Sequence, residues 1–264
     1  MRSCLLILRA KQMILPALVI LASLACSRDW KNPVDNKNSQ PNPLPTEGLV
    51  AWYPLNGNAN DESGNGLDGT VYGAVPCADR FNEENKAYYF NGTTYIEVLD
   101  NSKLDIIVNL SICTWYQYNG KASDWGRVIS KAWNSANDPW IGYGILHDDK
   151  PAGNQTIGIL AGLSNSTSAT TGSPDIFKTG VWHHVCGVID SDNKVISIYL
   201  DGKKQNDSTL TISTLANTSG NFRIGTDEKT LQGIVGAVDD VRVYCRVLRE
   251  SEIMALYHEG GWDQ

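Results

Sequence analysis

The side chains of this chain that could do chemistry are mainly aromatic rings and carboxylates. Trp125, Trp133, Trp140 and Tyr143 fall within nineteen residues, beside Asp124, Asn134, Asn137 and Asp138. Large rings offer flat apolar faces on which the C–H face of a sugar stacks, while Asp and Asn take its hydroxyls in a polar rim. Trp125, Trp133, Trp140, Tyr143 and Asp138 are therefore the candidate ligand-binding residues. Trp133 and Trp140, in the polar context KAWNSANDPW, are the two expected to be exposed. A second concentration is NGNANDESGNGLDG, residues 56–69. Its glycines and asparagines suit positive φ, and its carboxylates and carbonyls suit a hard cation.

Other constellations carry less. His183 and His184 are adjacent on an expected strand, so they point to opposite faces and do not share one ion. Asp61-Glu62, Glu83-Glu84 and Asp148-Asp149 are adjacent pairs in expected loops and read as solvated charge. GxSxG, HExxH, a phosphate loop and CxxC are absent from the sequence, which removes the familiar hydrolase, metalloprotease, nucleotide and zinc signatures. Binding without catalysis is the expectation.

The elements that must position these residues read as strands. Twenty-four glycines, eight tryptophans and eleven tyrosines, in short apolar runs between Asn/Asp/Gly/Ser clusters, favour strands and turns over helices. Trp182–Ile189 and Val195–Leu200 flank the polar turn Asp190–Lys194, the pattern of an antiparallel hairpin, expected to be a central strand pair. Ile196, Ile198 and Leu200 share one face and Val195, Ser197 and Tyr199 the other, so one face packs on a second sheet and the other stays partly available. Further strands are expected at Leu49–Leu55, at Tyr88–Phe90 and Tyr95–Val98 around a turn at Asn91-Gly92, at Leu110–Tyr118, Ile157–Leu163, Phe222–Gly225 and Gly233–Tyr244. The Ser/Thr-rich stretch up to Ser173 reads as a loop. Ile253, Leu256 and Tyr257 give one closing helix an apolar stripe.

Three stretches, GLVAWYPLNGNANDESGNGLDGT, WHHVCGVID followed by ISIYLDGK, and GIVGAVDDVRVYCRVLRESEIMALY, resemble the LamG-like jelly-roll domains of the concanavalin A-like lectin and glucanase superfamily. They lie in that family's order and bracket nearly all of the chain after residue 47. The resemblance implies an all-β fold, a two-sheet antiparallel jelly-roll sandwich with a short C-terminal helix, over residues 48–264. It also implies a structural calcium ion, Ca2+, between the first loop and the last strands. The matching ligand positions are Asp61, Asn65, the Gly66 carbonyl and Asp239, and strand alternation keeps Asp240 from joining Asp239 at one ion. Trp52, Trp115 and Trp182 match strand positions and are expected to pack. The ExDxE of the glucanases on this fold is absent, so two carboxylates flanking a scissile bond are not expected. Arg249 stands where the family places a capping serine, leaving Ser251 or nothing to cap the helix.

Arg2, Arg9 and Lys11 precede the apolar run Met13–Ala25, with Cys26 next, the layout of a secretory signal over residues 1–25. Ala25-Cys26 resembles a bacterial lipobox, with Cys26 lipidated. Residues 26–47, rich in Pro and Asn, read as a disordered tether. Removing three positive and no negative charges takes the formal charge from −7 to −10, which argues against nucleic acid as a partner. Cys77, Cys113, Cys186 and Cys245 remain as free thiols or bridges. The expectation is an exported, lipid-anchored, non-catalytic lectin-like protein at a bacterial outer membrane or cell surface. It would bind a glycan and touch the membrane only through its lipid. The alternatives are a protein-binding adhesin or scaffold of the envelope and, third, a glycoside hydrolase with an unfamiliar site.

Overall fold

The computed structural model describes residues 43–120, 123–132, 141–148, 156–163, 168–173, 178–211, 213–228 and 230–263, all inside one compact unit, residues 33–264. The strands are β1 (Leu49–Tyr53), β2 (Thr70–Tyr72), β3 (Val75–Cys77), β4 (Ala87–Asn91), β5 (Tyr95–Val98), β6 (Leu110–Gly120), β7 (Trp125–Ala132) and β8 (Ile141–Asp148). They continue as β9 (Thr156–Gly162), β10 (Ser168–Gly172), β11 (Trp182–Asp190), β12 (Val195–Leu200), β13 (Lys203–Thr209), β14 (Phe222–Ile224) and β15 (Val235–Tyr244), followed by helix α1 (Glu250–Tyr257).

Two antiparallel sheets result. An eight-stranded sheet runs β13-β12-β11-β6-β15-β4-β3 with β1 also on β15, and a seven-stranded sheet runs β10-β9-β8-β7-β14-β5-β2. Alternation decides what lies between them. Ile112, Tyr116 and Tyr118 of β6, Val185 and Ile189 of β11, and Ile196 and Ile198 of β12 join Ile129, Ile145, Ile159 and Phe222 of the other sheet in one buried core. The alternate residues of the larger sheet face outward, where Cys113, Cys186, Val188, Tyr199 and Tyr244 are covered by Ile253 and Leu256 of α1. An all-β, two-sheet antiparallel sandwich with a short C-terminal helix, a jelly roll, is thus the architecture.

Several sequence-based expectations change in detail. The hairpin β11–β12 forms as expected but lies between β6 and the edge strand β13, away from the centre of its sheet. Tyr88–Phe90 and Tyr95–Val98 fall in different sheets, so Asn91–Thr94 carries the chain across the sandwich instead of closing a hairpin. The end of the Ser/Thr-rich stretch is strand β10, paired along β9. Arg249 is the N-cap residue of α1, and its backbone N–H is taken by Glu252 Oε2 at 2.8 Å. The acid of the first turn thus satisfies the N–H of the N-cap residue itself, the reciprocal half of a capping box.

Cys113 and Cys186 face each other directly on β6 and β11 with Cα atoms 4.1 Å apart, and they form a disulfide. Cys77 is a free, half-buried thiol.

Candidate functional site

Antiparallel register places four residues of the eight-stranded sheet side by side on its outer face. Tyr89 of β4 pairs with Ala237 of β15, Ala237 with Gln117 of β6, and Gln117 with Trp182 of β11. Three inter-strand spacings separate the ends of this row, roughly 14 Å. Ala237 is small enough to leave a trough between the two flanking rings. The row lines a cavity of about 490 Å3, walled by Asp79, Arg80, Asn82 and Trp262 and by Gly180–Val181 before β11. Tyr89, Gln117, Trp182 and Trp262 are all partly exposed.

The next row explains why the trough has a wall. Trp115 pairs with His184 and with Asp239, and this row is covered: Trp115 is 1% exposed, with Tyr257 stacked on it and Trp262 edge-on at 5.2 Å. Arg80 lies over the Trp115 ring at 4.6 Å. Its Nη1 donates to Asp239 Oδ2 at 2.9 Å and to Asp240 Oδ2 at 3.0 Å. Strand alternation had placed these two aspartates on opposite faces. The register of β15 shifts between Asp239 and Arg242, and Asp240 takes φ 48°, so a bulge turns both carboxylates toward one cation. That cation is the guanidinium of Arg80. Trp52 Nε1 donates to Asp240 Oδ1, and Arg242 grips Glu259 through two hydrogen bonds of 2.6 and 2.8 Å.

Burial and neighbours tune this cluster. Asp239 is pushed well up by burial and by Asp240 beside it, against the pull of Arg80. His184 is pushed down to about 3 by burial and by Arg242 and Arg80, which keeps its imidazole neutral. Burial, then Asp239, Glu84 and Asp79, raises the Cys77 thiol to about 11, so it is no thiolate nucleophile at neutral pH. In the trough itself, Gln117 Nε2 donates to the Gly180 carbonyl at 3.2 Å. Asp79 Oδ1 takes the N–H groups of Phe81 and Glu83. Rings, an amide and a carboxylate so arranged can stack on a polyhydroxylated ligand and hydrogen-bond its rim.

The sequence-based ligand candidates are dispersed. Trp133, Trp140 and Asp138 lie outside the described residues, as does Cys26. Trp125 is half-buried and packs on Ile141, Leu146 and Leu160. Tyr143 is 1% exposed in the intersheet core, with its hydroxyl donating to the Leu104 carbonyl at 2.7 Å, so its ring presents no face to a ligand. Trp182, expected to pack, is instead part of the trough. A two-residue periodicity shows which strand residues share a face, but not which residue of the next strand sits beside them.

The calcium candidates have other partners. Asp61 Oδ1 accepts from the N–H groups of Trp52 and Ser63, and Oδ2 from that of Leu67. Burial alone would raise its carboxyl, but hydrogen bonds from Ser63, Leu67 and Trp52 hold it below the ordinary value. Asn65 Nδ2 donates to the carbonyls of Leu49 and Val50, its own carbonyl takes Lys103 Nζ at 2.9 Å, and Gly66 supplies positive φ of 73°. Asp239 thus sits on Arg80 and the Asn65 carbonyl on Lys103, so each of these candidate ligands has a partner within the chain. Among the described residues no group of three or more His, Cys, Asp or Glu side chains is placed to hold a metal.

Comparison with known proteins places the fold. The Laminin_G_3 family, described as concanavalin A-like lectin/glucanases superfamily, matches residues 90–254, well over half of the chain. A curated relative, adhesion G-protein coupled receptor V1 of Danio rerio, is 26% identical over 156 residues, covering 58% of this chain; the chain spans about 2% of that receptor's length. Among solved structures, the binding domain of Paraclostridial Mosquitocidal Protein 1 is similar with TM-score 0.65 and 16% identity, over 81% of this chain and 52% of that one. Domain 4 of AbnA, an extracellular arabinanase of Geobacillus stearothermophilus solved with arabinotriose, is similar with TM-score 0.59 and 19% identity, over 79% and 98%.

Proposed function

This chain belongs to the concanavalin A-like lectin/glucanases superfamily, and from that premise we propose that it is a non-catalytic carbohydrate-binding domain whose site is the trough on the outer face of the eight-stranded sheet. One observation carries the proposal: Tyr89, Gln117 and Trp182 stand in a registered row that, with Trp262, lines a cavity of about 490 Å3. Aromatic platforms flanking an amide are the chemistry of sugar recognition.

Binding without turnover is supported by the state of the nearby acids. Asp239 and Asp240 both bond Arg80, and Asp79 uses one oxygen to hold its own loop. Hydrolysis would need two carboxyl groups facing each other across the sugar. The proposal includes the rest of the chain: a signal over residues 1–25, lipidation of Cys26, and a tether over 26–47 holding the domain at a bacterial surface. The last residues of that tether already join the fold, the carbonyls of Pro45 and Glu47 accepting from Tyr244 and Arg246. The Cys113–Cys186 disulfide supports export, since such bridges persist in oxidising compartments.

The test is a glycan array probed with the domain and with Trp182→Ala. Retention of neutral plant or microbial glycans by the domain, lost in the variant with folding intact, is the expected result. A blank array from folded protein would move the reading to a protein-binding adhesin or scaffold of the envelope.

A further inference from the structure

The trough has a length and a charge, and both restrict what fits it. Its row crosses four strands from Tyr89 to Trp182, roughly 14 Å, with a ring at each end and the small Ala237 and the Gln117 amide between. A single sugar ring placed on Trp182 would leave Tyr89 unused. A linear run of linked sugars lying across the strands reaches both.

The charge is set by what Arg80 already holds. Among the described residues lining the trough Arg80 is the only cation, its side chain is 4% exposed, and its Nη1 is shared by two carboxylates. Asp79 lines the same wall, and the whole chain carries a formal charge of −7. An acidic sugar would therefore meet Asp79 beside a single buried cation whose Nη1 two aspartates already share, a wall that disfavours added negative charge.

Resting on the carbohydrate reading above, we infer that the ligand is a neutral, linear oligosaccharide segment that spans the trough from Trp182 to Tyr89. A single terminal sugar is not enough, and acidic glycans are excluded.

Calorimetric titration of the full chain tests this. Arabino-, xylo-, cello- and galacto-oligosaccharides of one to six units serve as neutral probes, and polygalacturonate and hyaluronan as acidic ones. For at least one neutral series, affinity should climb with length to about three or four units and then level. Trp182→Ala and Tyr89→Ala should each weaken the longer members by about thirtyfold, the scale of an anchor residue at ~2 kcal/mol. The acidic polymers should bind at least tenfold more weakly than the best neutral chain. A single sugar as tight as its oligomer, or an acidic polymer that binds as well and is lost in Trp182→Ala, overturns the inference and leaves the carbohydrate reading standing. No heat with any glycan, from protein of native melting behaviour, overturns both.

Discussion

Arg80 and Asp239 are 159 residues apart in the chain and joined by a 2.9 Å ion pair whose side chains are each 4% exposed. The pair ties the loop after β3 to the bulge of β15, and so fixes the wall of the trough. Removing one partner of a buried pair strands the other charge, at a cost of about 3–5 kcal/mol. Arg80→Ala is expected to lower stability by that amount in urea unfolding, and adding Asp239→Asn to it should recover part of the loss. Equal stability of the wild type and Arg80→Ala would contradict the assignment.

Because Arg80 and backbone N–H groups already engage the acids expected to hold calcium, the ion should add nothing. A ligand bound only by the folded state raises stability with its concentration. Melting in millimolar calcium and in excess chelator is expected to give the same midpoint. A clear upward shift with calcium, lost in Asp61→Asn, would show that the first loop rearranges to hold it.

Acid should destabilise the fold in two stages. His184 sits at about 3 against an ordinary 6.5, so its neutral form favours the fold fully above pH 6.5 and that contribution fades as pH falls toward 3. Burial would raise Glu252, but bonds from Arg246 and Arg249 bring it to about 2 against 4.5. Its contribution is whole above pH 4.5 and fades toward 2. Glu252→Gln should cost about 1.5–3 kcal/mol at neutral pH, the worth of charged hydrogen bonds, and the gap should close between pH 4.5 and 2. A gap that is constant with pH would rule out the ionised pair.

The Cys113–Cys186 bridge closes a separation of 73 residues, for which about 2–4 kcal/mol is typical. Intact mass before and after alkylation should show this pair protected in the folded protein. The Cys113→Ala/Cys186→Ala double variant should melt markedly lower. Full alkylation of both cysteines in protein kept oxidised would contradict the bridge.

Much of the fold was legible because it rests on periodicity. Val195–Leu200 alternates cleanly and becomes β12 with the expected faces. β13, KKQNDST, has no apolar alternation; it is a strand because β12 offers it a partner. The site was far less legible. Trp182 looked like packing because only cross-strand register reveals Gln117, Ala237 and Tyr89 beside it. Asp239 and Asp240 looked opposed because the bulge between β15 and β6 leaves no mark in the local sequence. Asp61 was read as a cation ligand or a solvated charge, and the backbone N–H groups of Trp52, Ser63 and Leu67 that its oxygens accept are set by a loop conformation that residue types alone do not reveal.

The central claim is the place of the ligand, and indole N–H resonances test it most directly. The protein, labelled with 15N at tryptophan and assigned through single Trp→Phe variants, would be titrated with arabinotriose, xylotriose and cellotriose in turn. Shifts concentrated at Trp182 and Trp262, with Trp115 and Trp125 unmoved, are the predicted result. Shifts at Trp125, Trp133 or Trp140 with Trp182 unmoved would put the site among the tryptophans of the chain's middle and contradict the trough.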